Sequence, residues 1–537
     1  MTEVIAAGFL IGLFCSRYAR FLYSGRSTIG KNNPQLMFQV RFHPQFGPIF
    51  WVIVALYTVG CTQRQASPRT TLLPEPPVKK GAAVRPVASD SLLMTYVKQW
   101  LEARNGHWEG VVEESARRLY EQKSFFPIWL SGNGLKPLAE EALQLIASSE
   151  AYGLEKEMYA WEKLRSLLLQ FHPHPPDPLP YAALAQFDVS LTRAILQFSR
   201  HLHQGKIRLL PPKTADSQTF SVLSRVQMAL KSDHSVPGTF TEAILSCQPD
   251  NRKYRLLQQS LARWVKSPVL ADSLARRQKN FRQLAGNLER WRSDSIPDSE
   301  YILINIPAFQ LQVVRKGQVV ATHRVIVGKP SSPTPILSSQ IRYFTASPEW
   351  HVLASIAVKE MLPQIRRNPG YLAKNNLQLY DRHNNPVDAS QVDWSTVTAN
   401  NFAYVIRQSS GCDNALGHIV FRFDNPYSVY LHDTPNRTLF TKLVRAFSHG
   451  CIRLENPLLL AQLLLAREGD TTSIEMVRKS IAQESKRHFR LKRPMPIHVR
   501  YATVSSEGEA LAFHRDLYRL DEPLLKAFEL YSKARIE

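Results

Sequence analysis

The sequence changes character near Tyr301, and this change limits the folds that the chain can adopt. Over residues 90–295, apolar side chains recur at the spacing of one face of a helix. From Tyr301 to Lys329, β-branched and apolar residues alternate with polar ones, and Lys316-Gly317 provides a hairpin turn. Similar strand patterns follow at 339–346, 402–408 and 418–431. Helices followed by strands predict an α+β fold, whose strands form a β-sandwich or a closed sheet.

This pattern divides most of the chain into three regions. We predict a helical N-terminal scaffold at 90–295, an all-β domain at 296–468 and a charged, amphipathic helical extension at 469–537. Within the all-β domain, residues 350–405 have the pattern of helix and loop. We therefore expect them to form an insertion between strands.

Residues 1–61 contain two short apolar stretches, neither of which reaches the roughly 20 residues that a membrane span needs. The second, Phe50–Gly60, ends in small residues before Cys61 and is typical of a signal peptide or a lipoprotein processing site. An uncleaved membrane anchor is the alternative, and Met37 is an alternative start. Residues 62–89 are rich in proline, alanine and basic residues, which predicts a flexible tether. In each case we expect the bulk of the chain to be exported.

The formal net charge is +22, with a sequence pI near 9.8. A basic excess spread over many segments indicates an anionic partner: nucleic acid, a membrane surface or a polymer that carries carboxylates. The sequence has no helix-turn-helix, RNA-recognition or zinc-finger pattern, which disfavours nucleic acid. A role in solubility alone is the alternative.

Chemistry-bearing residues concentrate in the segment 428–456. Cys451 follows a glycine and is a candidate nucleophile, but a thiol near its free pKa needs a base or a cationic neighbour. His432 lies upstream and is the candidate base, provided that the intervening chain doubles back. Strand alternation places Tyr430 and His432 on one face and Asp433 on the other, so a Cys-His-Asp triad is disfavoured and a backbone carbonyl is the better candidate for orienting the imidazole.

The residues around Cys451 suggest how an oxyanion would be held. Successive N–H groups of His449, Gly450 and Cys451 can point together at one anion, and Gly450 permits φ > 0. Arg453 adds a positive charge that favours a thiolate or binds a substrate carboxylate. The preceding run, Leu439–Phe447, has an apolar periodicity that favours a helix.

A metal site is the rival interpretation of the same residues. His432, His449 and Cys451 are three candidate zinc ligands with an open fourth position. The cation at Arg453 would stand beside the metal, and no second cysteine pair supports the site. We therefore predict no metal.

Two matches carry a resemblance to a known family. His432 followed by Ser-His-Gly-Cys-Ile-Arg at 448–453, together with NALGHIVFRFDNPYSVYLHDTP at 414–435, resembles the L,D-transpeptidases, and in particular their large Gram-negative, YcbB-like branch. These cysteine enzymes cross-link bacterial peptidoglycan. The resemblance implies an all-β catalytic domain at 296–468, capped by residues 350–405.

The resemblance also implies roles for single residues. Cys451 and His432 would be the catalytic pair, with no metal or organic cofactor. Ser448, His449 and Gly450 would form the oxyanion and active-site loop, and Tyr430, Asn414 and Arg453 would contact substrate. The implied reaction forms 3→3 cross-links between stem peptides through a thioester on Cys451, with release of D-Ala. Carbapenems would acylate the same thiol.

The acceptor and the location remain expectations of the same resemblance. Water as acceptor would give L,D-carboxypeptidase activity, a lipoprotein lysine would give protein attachment, and a non-enzymatic wall-tethering protein is the remaining alternative. The implied location is the bacterial periplasm or cell envelope, with membrane attachment through the N-terminal leader or a lipid.

The chain has five cysteines, of which Cys15 and Cys61 belong to the leader. In an oxidising periplasm the other three can pair. A nucleophile must stay reduced, so Cys247–Cys412 is the pairing that spares Cys451. The family places the Cys412 loop beside the cleft, which makes a Cys412–Cys451 disulfide the alternative.

Overall fold

The computed structural model describes residues 90–103, 110–131, 134–170, 180–207, 215–231, 238–268, 273–368, 370–470, 472–508 and 510–536. The predicted leader at 1–61 and tether at 62–89 lie outside this part of the chain. None of the helices within it combines the length and the apolar character that a membrane crossing requires.

The predicted helical scaffold is confirmed. Its nine helices in the described residues are α1 (Asp90–Glu102), α2 (Val111–Gln122), α3 (Pro137–Ala147), α4 (Trp161–Leu169), α5 (Tyr181–Gln204), α6 (Ala215–Lys231), α7 (Thr239–Leu245), α8 (Arg252–Lys266) and α9 (Leu274–Ser293). A small hairpin, β1 (Leu130–Ser131) with β2 (Gly134–Leu135), lies between α2 and α3. The first seven helices enclose one apolar core around α5, because α5 buries side chains on nearly every side.

The second half of the described chain is built mainly of strands. They are β3 (Glu300–Asn305), β4 (Gln310–Arg315), β5 (Gln318–Gly328), β6 (Leu337–Ala346), β7 (Trp350–His351), β8 (Leu377–Tyr380), β9 (Pro386–Val387), β10 (Val405–Gln408), β11 (Ile419–Phe423), β12 (Leu431–His432), β13 (Ala446–Ser448), β14 (Ile452–Leu454), β15 (Arg487–Arg500), β16 (Val504–Glu507) and β17 (Ala510–Phe513).

Nine of these strands form one sheet in the order β13-β5-β14-β12-β11-β6-β15-β3-β4. Because β4 also pairs with β5, the sheet closes on itself and leaves β13 as an added strand. Of the two predicted β architectures, the closed sheet is therefore the one that forms. Its inward side chains are apolar and buried together, as the alternation of a small closed sheet requires.

Strand β3 shows how the closed sheet is attached to the scaffold. Ile302 and Ile304 point into the interior of the sheet, whereas Tyr301 and Leu303 pack outward with apolar side chains of α8 and α9. A strand buried on both faces needs apolar residues at every position, which the sequence YILI supplies.

The C-terminal region corrects one prediction. The proposed helical extension at 469–537 contains α14 (Ser473–Ala482) and α15 (Asp521–Ile536), but between them β15 pairs with both β6 and β3. The all-β domain therefore does not end at residue 468. Helix α13 (Pro457–Ala466) and helix α14 follow β14 and precede β15 in the chain, and both pack against the sheet.

The insertion predicted at 350–405 is a separate small layer. Strands β7, β10, β8 and β9 form their own sheet, joined by short helices and an apolar cluster that includes Trp394. The helices are α10 (Ala354–Ile356), α11 (Leu362–Arg367) and α12 (Tyr371–Lys374), and a π-helical turn, Ala357–Met361, separates α10 from α11. We call residues 350–408 the cap.

The run Leu439–Phe447 corrects a second prediction. Only a 3₁₀ turn, Arg437–Thr441, is helical, and the chain then enters β13. Strand β13 pairs with β5 in parallel, and this pairing outweighs the local helical periodicity.

Candidate active site

The register of two short strands brings the predicted site together. Leu431 pairs with Ile452, and His432 pairs with Arg453, in parallel. Continuing that register by one residue places Tyr430 beside Cys451, and the Ile452 N–H donates to the Tyr430 carbonyl at 3.0 Å. Leu431 and Ile452 point into the apolar interior. Since side chains alternate, Tyr430, His432, Cys451 and Arg453 share the opposite face.

Cys451 is partly exposed, and its thiol is weakly bound. The Sγ atom donates to the Ser428 carbonyl at 3.9 Å. Burial raises the pKa of the Cys451 thiol, while hydrogen bonds from Tyr430 and the charges of Arg422 and Arg453 act in the opposite direction. The resting form at neutral pH is therefore the thiol, held where cationic neighbours favour its deprotonation.

His432 is 6% exposed, and its ring makes an edge-on contact with Tyr430 at 5.5 Å between centroids. Burial and then the positive charge of Arg453 lower the pKa of His432 to about 3. The Asp433 carbonyl acts in the opposite direction, but among the described residues Nδ1 has no hydrogen-bond partner. The imidazole is therefore neutral at physiological pH and able to accept a proton.

The depressed pKa of His432 predicts a pH-dependent loss of stability. In the unfolded chain the ring takes up a proton below about pH 6.5, whereas in the folded chain it stays neutral down to about pH 3. Proton uptake by the unfolded state alone destabilises the fold as pH falls through this window, by about 1.4 kcal/mol per pH unit. Above pH 6.5 the effect is absent.

We expect wild type to lose on the order of 2 kcal/mol more than His432→Gln between pH 7 and pH 5. Urea unfolding of both proteins at the two pH values measures the difference. Because glutamine does not titrate, every other ionisable group cancels in the comparison. If the two proteins lost the same free energy of unfolding between pH 7 and pH 5, His432 would not be buried in its neutral form.

The Asp433 side chain lies on the face opposite to His432 and Cys451, as strand alternation predicted. Its carboxylate accepts hydrogen bonds from Arg437 at 2.9 Å and from the His418 N–H at 2.9 Å, and none from His432 within the described chain. Gly417 has φ +58°, and a Cβ there would approach the Asp433 side chain to 2.5 Å. Asp433 therefore fixes the neighbouring loop.

The loop before Cys451 is built by small polar side chains. Ser448 is 2% exposed, its hydroxyl donates to the Cys451 carbonyl, and it accepts from the Gly450 N–H at 3.2 Å. Thr334 donates to the Gly450 carbonyl at 2.8 Å. Gly450 has φ +111°, a region that favours glycine, as predicted.

These contacts correct the predicted set of oxyanion donors. The Gly450 N–H is already bonded to Ser448, so it is not free to bind an anion. No acceptor within the described residues is found for the N–H groups of His449 and Cys451. These two remain the candidates, with Ser448 as the residue that shapes the loop.

His449 connects the loop before Cys451 to the cap. Its Nε2 lies 2.5 Å from Oε1 of Glu360, which belongs to the π-helical turn, and 3.4 Å from Nζ of Lys329. Lys329 and Glu360 are 3.9 Å apart. Three segments distant in sequence therefore meet in one charged cluster beside Cys451, and π-helical turns are frequent at functional sites.

Removing Glu360 is expected to loosen the cap without unfolding the protein. The side chains of His449 and Glu360 are about one-third to one-half exposed. Their interaction therefore contributes on the order of 1 kcal/mol or less to the free energy of unfolding. We expect Glu360→Ala to raise KM severalfold and to speed hydrogen exchange in residues 354–367, whereas Glu360→Gln keeps an acceptor for His449 and has a smaller effect. Glu475→Ala, which removes an exposed ion pair with Arg478, is the control. Unchanged exchange in Glu360→Ala would contradict the link.

Two functional candidates were not identified from the sequence. They are Arg422 and Trp350, which both contact Tyr430. The guanidinium of Arg422 on β11 lies 5.1 Å from the centroid of the Tyr430 ring, and the side chain of Trp350 in the cap donates a hydrogen bond to Tyr430. Burial and the adjacent Cys451 raise the pKa of Tyr430 above its ordinary value, so its hydroxyl stays protonated. The alternation of β11 places Arg422 on the face of Cys451 only once the pairing of β11 with β12 is known. The sequence alone does not give that pairing.

Arg453 lies as predicted beside Cys451, with no ion pair in the described residues. Burial lowers its pKa, and the Cys451 charge opposes this effect. Its Nε is buried and has no hydrogen-bond partner within the described chain. An unpaired guanidinium beside a candidate nucleophile is available to a carboxylate ligand.

The predicted substrate contact of Asn414 is not supported. Asn414 is 1% exposed, and its amide donates to the carbonyls of Pro348, Gln408 and Ser409 and accepts from the Leu416 N–H. Both its amide N–H groups and its amide oxygen are therefore engaged inside the protein. Asn414 therefore orders the loop between β10 and β11.

Neither predicted disulfide is present. Cys247, Cys412 and Cys451 are all free thiols. Cys247 is 1% exposed in the scaffold core, whereas Cys412 is on the surface. Cys247 therefore packs within the scaffold, whereas Cys412 belongs to the loop between β10 and β11.

The alternative metal site lacks a ligand cluster. In the described ranges, no three His, Cys, Asp or Glu side chains are grouped so as to hold a metal ion. The His449 nitrogen that was a candidate ligand is instead bonded to Glu360.

Fold and site together define a closed β-sheet that presents a cysteine, a histidine and two arginines on one face, beneath a cap. Residues 299–475 match the model of the L,D-transpeptidase catalytic domain, and residues 114–261 match that of the Scaffold domain. A Haemophilus influenzae protein named "Putative L,D-transpeptidase" is 28% identical over 418 residues, which cover 76% of this chain and 78% of that protein. Residues 299–475 therefore carry an L,D-transpeptidase catalytic domain.

Solved L,D-transpeptidases are more distant. A structure from Mycobacterium smegmatis is 14% identical over 38% of this chain and 58% of that chain, with a TM-score of 0.17. L,D-transpeptidase 3 of Mycobacterium tuberculosis is 14% identical over 38% of this chain and 61% of that chain, with a TM-score of 0.19. The chain spans between 51% and 61% of the length of the first three solved chains that it matches.

Proposed function

We propose that this protein is a peptidoglycan L,D-transpeptidase that forms 3→3 cross-links between stem peptides in the cell envelope. The observation that carries the proposal is the shared face of β12 and β14, on which Tyr430, His432, Cys451 and Arg453 lie together. The match of residues 299–475 to the L,D-transpeptidase catalytic domain supports it, and so does the carboxylate-rich nature of peptidoglycan, which suits a net charge of +22.

The first half of the reaction transfers an acyl group to the enzyme. The donor is a stem tetrapeptide that ends in meso-diaminopimelate and D-Ala. Cys451 Sγ attacks the carbonyl carbon of the L-centre of the diamino acid, and His432 takes the thiol proton. The N–H groups of His449 and Cys451 bind the developing oxyanion. The C–N bond then breaks, His432 gives its proton to the amine of D-Ala, and a thioester remains.

The second half transfers the acyl group to an acceptor. The side-chain amine of a second stem attacks the thioester, and His432 removes a proton from this amine. The C–S bond breaks, and the proton returns to the Cys451 sulfur. The cap, attached through Glu360 and His449, limits the access of water to the thioester.

The protonation states at rest favour proton transfer during the attack rather than a preformed ion pair. Burial raises the pKa of the Cys451 thiol and lowers that of His432. Both groups are therefore neutral before substrate arrives. The charge that forms in the transition state is stabilised by Arg453, Arg422 and the loop N–H groups.

The test is a product analysis with the purified protein and a disaccharide tetrapeptide. We expect free D-Ala and a dimer linked between two diaminopimelate residues, both detected by mass spectrometry. Tripeptide without dimer would replace the proposal with carboxypeptidase activity. A product joined to a lipoprotein lysine, found only when that protein is added, would replace it with protein attachment. The absence of any D-Ala release would favour the non-enzymatic wall tether.

A further inference from the structure

Arg422 shares a row of the sheet with the candidate nucleophile. Val420 pairs with His432 and Phe421 with Leu431, so Arg422 lies opposite Tyr430, which in turn lies beside Cys451. The Arg422 guanidinium stands 5.1 Å from the Tyr430 ring centroid. The row therefore places a cation, an aromatic wall and a thiol side by side on three strands.

A strand irregularity occurs at this position. The register between β11 and β6 shifts between Arg422 and Phe423. Such bulges redirect side chains and are common beside active sites. On β6, Arg342 is 60% exposed and faces Asp424 at 3.6 Å, whereas Arg422 is half-buried against Tyr430.

Arg422 has no acidic partner in the part of the chain that the structure describes. Asp424, two residues along the chain, pairs with Arg342, and Glu349 pairs with Lys486 at 2.8 Å. Neither ion pairs nor hydrogen bonds within the described residues use the five donors of this guanidinium. A half-buried, unpaired arginine facing an active cleft is suited to a planar anionic group.

Building on the proposed function, we propose that Arg422 determines donor specificity by binding the free carboxylate at the D-centre of diaminopimelate. The two donor residues that flank the scissile bond each carry one free carboxylate. That of D-Ala lies two atoms from the scissile carbonyl and fits Arg453, the neighbour of Cys451 on the same strand. The D-centre carboxylate lies at the far end of the diamino acid side chain, and Arg422 stands two strands away, at roughly 10 Å between Cα positions.

Binding of this carboxylate also raises the proton affinity of His432. The charges of Arg453 and Arg422 both lower the pKa of His432. A substrate carboxylate on either guanidinium offsets that charge and raises the proton affinity of the imidazole in the complex. The interaction thus affects kcat through the pH profile, as well as KM.

The test compares donors with a free or an amidated D-centre carboxylate on wild type, Arg422→Gln, Arg422→Lys and the control Arg342→Gln. The rate of D-Ala release gives kcat/KM. We expect wild type and Arg342→Gln to prefer the free acid by about 10- to 50-fold, from one charge-assisted contact. In Arg422→Gln we expect kcat/KM to fall for the free-acid donor and to stay unchanged for the amidated donor, so that the preference is lost. Arg422→Lys retains part of the preference.

The outcomes separate this proposal from the one on which it rests. Equal losses on both donors in Arg422→Gln would overturn the specificity role and indicate a structural one, and so would a wild type without preference. If wild type releases no D-Ala from either donor, the proposed function fails and this proposal fails with it. Acylation by a carbapenem, followed as a mass shift, shows that each variant retains an intact thiol site.

Discussion

Replacing Cys451 with alanine is expected to abolish acylation, lowering turnover by a factor on the order of 10⁴ or more. The mutation removes the only sulfur on the face that carries His432 and Arg453 in the described structure. No neighbouring side chain can form a thioester. Intact-protein mass spectrometry with a tetrapeptide donor or a carbapenem measures the adduct directly.

The matched control for this variant is Cys412→Ala. Cys412 is an exposed free thiol, so it reacts with any nonspecific electrophile but lies outside the strand pair that holds Cys451. We expect it to leave the adduct intact. An adduct that persists in Cys451→Ala and disappears in Cys412→Ala would end the assignment of the nucleophile.

Replacing His432 with glutamine is expected to lower the rate of acylation by a factor on the order of 10²–10⁴. Glutamine is close in size to histidine and keeps a polar group in the buried site, but it cannot take the thiol proton. Because burial raises the pKa of the Cys451 thiol, little thiolate forms without a base. The time course of the carbapenem adduct measures the rate.

Two comparisons make the His432 result specific. His488→Gln removes a histidine that bonds to Thr345 and lies three strands from His432 in the same row of the sheet. We expect its rate to stay within about twofold of wild type. Raising the pH should partly restore the rate of His432→Gln, since hydroxide then supplies the thiolate. A wild-type rate in His432→Gln at neutral pH would refute the role of the base.

The pairing of Tyr430 with His432 on one face, and the exclusion of Asp433, followed from alternation alone. The period of two is a property of the extended backbone, so it holds wherever a strand forms. The observed contacts of Asp433 with Arg437 and His418 agree with it. Likewise, Gly450 was predictable, because its backbone conformation is one that side chains oppose.

Other predictions failed where long-range pairing overrode local pattern. The sequence of β15 alternates charged and apolar residues, and its apolar positions Phe489 and Leu491 are buried in the closed sheet. That alternation is present in the sequence, but the helical patterns on either side of it led to the prediction of a helical extension. For β13 the periodicity was helical, and pairing with β5 decided the outcome. Asn414 was misjudged because its three carbonyl partners lie at the end of β10 and between β6 and β7, and only the fold brings these two places together.

By itself, the sequence determined the chemistry that the chain can carry: a cysteine after a glycine, an upstream histidine on a strand and an arginine two residues beyond the cysteine. Tertiary structure alone decided which groups surround that chemistry. Arg422 reaches the site through the register of β11 with β12, and Glu360 reaches it through the folding of the cap onto the loop of His449. Such neighbours are set by pairings between residues far apart in the chain, and no local pattern encodes them.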